Sequence, residues 1–203
     1  MDRTDAMTPP DPSQPQPFEG HIFVISAPSG AGKTTLRRAV LQQLPDMLYS
    51  VSYTTRPPRP GEVNGRDYEF ISPAEFEEGI RFGRWAEWAQ VHGHYYGTSL
   101  DVLSRAVASG RDILLDIDVQ GARQICSRFP QSITIFIMPP SLDTLAARLQ
   151  ARGTDDPEAV ALRLRNAREE MAQKDAYRHV IVNDQLETAL AEIVAVIASY
   201  RKK

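Results

Sequence analysis

The stretch His21-Ile22-Phe23-Val24-Ile25-Ser26-Ala27-Pro28-Ser29-Gly30-Ala31-Gly32-Lys33-Thr34 decides how the rest of the chain is read. Its first six residues form a short apolar run with β-branched side chains, the pattern of a buried strand. A glycine-rich turn follows, and then Leu36, Val40 and Leu44 recur at helical spacing with Ala39 beside them. The turn carries the phosphate-loop pattern G-x-x-x-x-G-K-[ST], with Ala27 where the pattern begins with glycine. Gly30 and Gly32 let the backbone curl until its N–H groups point inward at phosphate oxygens. The helix opening near Lys33 adds its positive end. Lys33 can set an ammonium between β- and γ-phosphates, and the Thr34 hydroxyl can ligate Mg²⁺. The plainer reading is an ordinary glycine-rich strand–helix turn; the apolar strand before it and the apolar-periodic helix after it weigh against that.

Working outward, three more apolar runs stand at Ile113–Ile117, Ile133–Ile137 and His179–Val182. Runs without alternation fit strands covered on both faces, hence a mostly parallel sheet, and helical stretches between them give a βαβ pattern. Leu186, Leu190, Ile193, Val194 and Ile197 mark a final amphipathic helix. The fold class expected is α/β, a P-loop NTPase fold with a parallel core flanked by helices. Asp116 ends the second run, where a carboxylate beside a phosphate loop holds hydrated Mg²⁺; a capping Asp is the alternative. Residues 50–100 read differently. Strand-like pieces at Asp67–Ile71 and Trp85–Trp88 sit among prolines and glycines, as in a small, partly antiparallel insertion. Residues 152–174 read as a loop and a polar helix, with Asp156 as N-cap and Pro157 at the first helical position.

Composition sets the limits. The chain has 203 residues, enough for one compact α/β unit, and a net charge of −3, which argues against a general nucleic-acid binder. Cys126 is the one cysteine, so an internal disulfide and a multi-cysteine zinc site are excluded and a reducing compartment is expected. No apolar run approaches the roughly 20 residues of a membrane span, and Asp2 and Asp5 are unlike a signal peptide. A cytoplasmic protein is the expectation. Residues 1–18 hold five of the 15 prolines and few apolar residues, which reads as a disordered tail, with Met7 as an alternative start. Cys126 reads as a buried small apolar residue, Trp85 and Trp88 as packing residues, and His92 and His94 as exposed turn residues.

In the middle third, Arg56 and Arg59 stand three apart in a proline-stiffened loop, suited to forked bonds to a phosphate dianion. A solvated loop is the plain alternative. Five strings then carry a resemblance: Ser52-Tyr53-Thr54-Thr55-Arg56-Pro57-Pro58-Arg59, Gly61-Glu62-Val63-Asn64-Gly65-Arg66-Asp67-Tyr68, Glu87-Trp88-Ala89, Tyr95-Tyr96-Gly97-Thr98 and Leu115-Asp116-Ile117-Asp118-Val119-Gln120-Gly121. Together with the phosphate loop they closely resemble guanylate kinase, in the same order, from about His21 to Tyr200.

That resemblance implies a kinase-like domain over 19–203 after the tail 1–18. Its core would be 19–50, 99–151 and 175–203, with a mixed α/β GMP-binding subdomain over 51–98 and a helical lid over 152–174. It implies Mg²⁺-dependent transfer of the ATP γ-phosphoryl group to GMP, and to dGMP, in purine nucleotide metabolism and GMP recycling. Ala27, Pro28, Ser29, Gly30, Ala31, Gly32, Lys33, Thr34, Thr35, Arg148 and Asn183 would hold ATP, with Arg148 against the adenine. Arg56, Arg59, Tyr68 and Tyr96 would hold the GMP phosphate. Glu87 would accept from guanine N1–H and the 2-amino group, Ser52 and Thr98 would sit near O6, and Asp118 would be an acid on the guanine side. Thr34 and Asp116 would hold Mg²⁺, partly through water. Lys33, Arg56, Arg152 and Arg163 would be catalytic, the last two from the lid. Adenine lacks the donor pair that Glu87 reads, so the base choice follows. A phosphate with a second pKa near ~6 is already largely dianionic at neutral pH and needs no general base. The implied partners are ATP and GMP, with no nucleic-acid polymer and no membrane; a homodimer or higher homo-oligomer is left open. Three rivals remain: an interaction module with this fold, a P-loop kinase for another small phosphate, and a GTP hydrolase. The retained Lys33, Thr34, Arg152 and Arg163 oppose the first, Glu87 with Ser52 and Thr98 the second, and the lack of an N-K-x-D motif the third.

Overall fold

The structure, a computed structural model, describes residues 20–91, 93–151 and 157–201. The tail 1–18, His92, the Arg152-Gly153-Thr154 step and the Asp156 cap lie outside the described residues. In the central sheet, β1 (Ile22–Ser26) is wholly buried and leads through the phosphate loop into α1 (Lys33–Gln43). Then come β2 (Leu48–Tyr49) and, in a second sheet, β3 (Tyr53–Thr54), β4 (Glu69–Phe70), α2 (Pro73–Arg81), β5 (Trp85–Val91) and β6 (His94–Ser99). The chain returns through α3 (Leu100–Ala108) to β7 (Ile113–Asp116), α4 (Val119–Arg128), β8 (Ile133–Met138) and α5 (Leu142–Ala151). It ends with α6 (Pro157–Met171), a 3₁₀ turn at Lys174–Ala176, β9 (His179–Val182) and α7 (Leu186–Arg201).

The central sheet runs β2-β7-β1-β8-β9 with every neighbouring pair parallel, as the unalternating runs predict. Side chains of β1 alternate between two cores. Phe23 and Ile25 pack with Leu36 and Val40 of α1 and Ile193 and Ile197 of α7. Ile22 and Val24 pack with Leu103 of α3 and Ala122 and Ile125 of α4. Leaving β1, the chain crosses to β2 on one side, while β8 lies on the other. This reversal opens a crevice at the carboxyl ends of β1 and β7, the usual ligand position in such sheets.

The smaller sheet runs β4-β3-β6-β5, with β3–β4 parallel and the other pairs antiparallel. Phe76 of α2 stacks between Trp85, at 4.4 Å, and Tyr95, at 5.1 Å, and gives this sheet its own apolar centre. Helix α2 starts on a capping box, Ser72 and Glu75, with Pro73 in its first turn.

Several local expectations need correction. Strand character in 67–71 shrinks to Glu69–Phe70, because Asp67 is turned to cap the Val63 N–H. His94 is not an exposed turn residue; it pairs with Val91 at the start of β6 and is half-buried. Cys126 is only half-buried, at a small cavity of about 110 Å³. Trp88 is 37% exposed, whereas Trp85 is buried as a packing residue should be. No helix among the described residues is long and apolar enough to cross a membrane.

Candidate active site

The crevice has two connected parts that share Lys33, Ser52, Tyr68, Val91 and Asp116 in their walls. The larger, about 720 Å³, runs from the phosphate loop to the arginine loop. Ala27, Pro28, Ser29, Gly30, Gly32, Lys33, Thr34 and Thr35 line one side, and Arg56, Arg59 and Glu62 the other. The smaller, about 200 Å³, lies between the two sheets and adds Glu87, Tyr96 and Asp118.

The loop takes its shape from two glycines. Gly30 and Gly32 have φ of 93° and 92°, the left-handed region that side chains avoid. Gly32 also sits against the Asn183 amide, which a Cβ would strike. Helix α1 has no side-chain cap at Gly32, so its first N–H groups face the cleft. Buried Asn183 donates from Nδ2 to Ala31 O at 2.7 Å, and Arg148 donates to Asn183 O at 3.1 Å. Ala31, Asn183 and Arg148 thus stand behind the loop as a brace.

At the carboxyl end of β7, Asp116 forms an ion pair with Lys33 and lies 3.6 Å from Arg37 Nε. Lys33 also donates to Ile117 O at 3.4 Å. Apart from the Lys33 pair, the buried Asp116 Oδ1 has no hydrogen bond, and Arg37 Nε has none. Asp116 and the exposed Thr34 line the same cavity, and an oxygen with no bond beyond the Lys33 pair suits a hydrated hard cation. Among the described residues no group of three or more His, Cys, Asp or Glu could cage a metal, so Thr34 and Asp116 would share such a cation with phosphate and water.

In the arginine loop, buried Arg56 makes a fork–fork pair with Glu62, both bonds 2.7 Å. Those bonds raise the Arg56 guanidinium above its ordinary value and hold Glu62 below the usual carboxylate range. Arg56 also lies over the Tyr68 ring at 5.0 Å, and Tyr68 meets Tyr96 edge-on. Arg59 is exposed, its backbone N–H bonded to Glu62.

At the far end, Glu87 is 5% exposed. Burial pushes its carboxyl up to about 7, with the Asp118 charge adding to the rise and the Thr98 hydroxyl and Lys33 opposing it. Thr98 donates to Oε1 at 2.6 Å. Thr98 therefore orients the carboxylate from behind, and Ser52 lines the open side. Asp118 both faces this pocket and caps α4, accepting from Gly121 N at 2.8 Å. Arg163 is half-buried on α6.

Sequence reasoning passed over four residues here. Arg37 follows Lys33 by four, so helical spacing puts both on one face. Glu62 lies in the Gly61–Tyr68 stretch, where nothing local marks it as the partner of Arg56. Gly121 closes the Leu115–Gly121 stretch, and only the packing of α4 on β5 brings it to Glu87. Glu170, on α6, lines the larger cavity, and burial, with Asp118 adding and Lys33 opposing, pushes its carboxyl up to about 7. Nothing local separates it from its neighbour Glu169.

Known proteins match this arrangement. A family profile described as guanylate kinase matches residues 19–200. A guanylate kinase of Dechloromonas aromatica (strain RCB) is 50% identical over 178 residues, 88% of each chain. One from Geobacter sulfurreducens is 48% identical, again over 88% of each. Among solved structures, a guanylate kinase from Anaplasma phagocytophilum superposes with a TM-score of 0.74 at 33% identity, covering 92% of this chain and 88% of that one. A phosphate loop facing an arginine loop and a buried carboxylate, on a chain matched along nearly its whole described length, places this protein in the guanylate kinase family of nucleoside monophosphate kinases.

Proposed function

We propose that this cleft transfers the γ-phosphoryl group of ATP to GMP, and to dGMP, in cytoplasmic purine recycling. The observation that carries this reading is the pairing, in one crevice, of a phosphate loop with a buried carboxylate at the opposite end. ATP phosphates lie on the loop N–H groups and Lys33. The GMP phosphate takes the Arg56 fork that Glu62 occupies, with Arg59, Tyr68 and Tyr96 around it. Glu87, held by Thr98, accepts from guanine N1–H and the 2-amino group, with Ser52 and Asp118 beside the base. Thr34 and Asp116 would hold Mg²⁺, which would supply charge neutralisation to the ATP phosphates. Lys33, Arg56 and the lid arginines Arg152 and Arg163 oppose the remaining negative charge while the two substrates are held in line. The acceptor oxygen is already ionised, so no side chain has to remove a proton.

The test is ADP release from ATP and Mg²⁺ with GMP, AMP, CMP, UMP or no acceptor. Turnover with GMP far above the other four is expected. Turnover with a different acceptor would keep the kinase and remove the role of Glu87. A second expectation concerns the brace behind the loop. Asn183→Ala leaves Ala31 O without its donor, which costs about 1–3 kcal/mol of stability. The ATP KM rises several-fold and the GMP KM stays put, because Asn183 lies behind the loop and not in the base pocket. Kinetics with each substrate varied in turn, and thermal unfolding, check both parts.

A further inference from the structure

Gly121 lies buried in the first turn of α4, where an added Cβ would stand 2.7 Å from Glu87 Oε2, 3.1 Å from its Cδ and 3.4 Å from Ile117 Cβ. The helix cannot back away from β5 to relieve this. One turn on, Gln124 clamps Trp88 through both backbone groups, accepting from its N–H at 3.2 Å and donating to its carbonyl at 2.9 Å. One turn further, Arg128 donates to Trp85 O at 3.0 Å. Residues 121, 124 and 128 share a helix face, so these bonds hold α4 along β5 at a set height and register. Between the two clamped residues of β5 stands Glu87. The carboxylate is thus held at Oε1 by the Thr98 hydroxyl, while Oε2 occupies the space that a side chain at 121 would take.

We propose that Gly121 is a positioning residue for base recognition: its missing side chain sets where the Glu87 carboxylate points, and hence which edge of a purine the pocket accepts. This rests on the reading of Glu87 as the guanine-reading group. With any Cβ at 121 the flexible carboxylate is the group that yields, since the other partners are clamped. Helical backbone accepts alanine readily, and alanine propagates a helix better than glycine. Loss of function without loss of fold is therefore the signature of this role.

The test is Gly121→Ala in the full chain, with GMP and ATP varied separately. The GMP KM rises at least tenfold, the ATP KM changes less than twofold, and the melting temperature holds. Adding Glu87→Asp, which draws the carboxylate back by one methylene, gives a double variant whose GMP KM is lower than the product of the two single effects predicts. Multiplicative effects of the two changes, or a parallel rise in both KM values, overturn the proposal. Glu87→Gln measured alongside separates the two failures. If it leaves the GMP KM unchanged, the base-reading role falls and this inference with it. If it raises the GMP KM while Gly121→Ala leaves it within twofold, only the positioning role falls.

Discussion

Replacing Lys33 by methionine lowers kcat on the order of 10³-fold and leaves the GMP KM within a few-fold of its starting value. The magnitude is that of removing one preorganised cationic or oxyanion-stabilising donor from a water-poor site. The position supports it. Lys33 opens α1 at the bottom of the phosphate loop, ion-paired to Asp116 and bonded to Ile117 O. With Asp116 it is among the five residues that wall both parts of the cleft. On the proposed reading the ammonium would exchange Asp116 for the phosphates, and Asp116 would then be free to help hold a hydrated cation. Methionine keeps the stem and removes the charge, so packing in the loop is retained. Arg37 Nε at 3.6 Å remains near Asp116 in the variant, which keeps that carboxylate from being stranded. Single-turnover kinetics with saturating ATP separate this loss from weakened ATP binding. A kcat within tenfold of the unaltered protein would remove Lys33 from the chemistry.

The same contrast, preset ion pairs that substrates must displace, recurs at Arg56. Its fork is filled by Glu62 at 2.7 Å on both arms. A dianionic phosphate can present two oxygens to the same fork with more charge, so on the proposed reading exchange rather than creation of contacts sets the cost of binding. Such pairs hold the Lys33 and Arg56 cations oriented, which suits a reaction carried by positioning and electrostatics.

What was legible in the sequence follows from how each feature is encoded. Strands β1, β7 and β8 are covered on both faces, and continuous apolar runs give them away; the edge strand β9 carries the same kind of run although Val180 and Val182 face outward. β2, β3 and β4 are two residues each, too short for any period to appear, and their places come from pairing with distant segments. The phosphate loop was legible because backbone curvature demands glycines at fixed positions. The contacts around Glu87 were not, because Thr98, Gln124 and Gly121 act on it from other strands and helices. Glu170 was invisible for the same reason: its environment is made by the packing of α6 over the cleft.

Glu87→Gln separates function from stability in opposite directions. In the folded protein burial lifts the Glu87 carboxyl from 4.5 to about 7. Between those values the folded state keeps a proton that the unfolded chain has lost, so stability falls as pH rises through this window. Above about pH 7 the buried charge costs on the order of 3 kcal/mol relative to an exposed carboxylate. Glutamine carries no such charge. Without nucleotide, Glu87→Gln is therefore expected to melt above the unaltered protein at pH 8, with the gap closing by pH 5. Its kcat/KM for GMP falls roughly 10²-fold, because guanine's two donors meet an amide that offers one acceptor and a competing N–H. The pH profile carries the same information. In the unaltered protein kcat/KM for GMP falls between about pH 7 and 6 as Glu87 takes up its proton, and more steeply below that as the nucleotide phosphate does so too. In the variant that limb is gone, and only the step of the nucleotide phosphate near pH ~6 remains. Melting curves across pH 5–8 and the two profiles make the test. A variant less stable at pH 8, with the low-pH limb intact, would mean that the carboxylate is a structural group and that the base is read elsewhere.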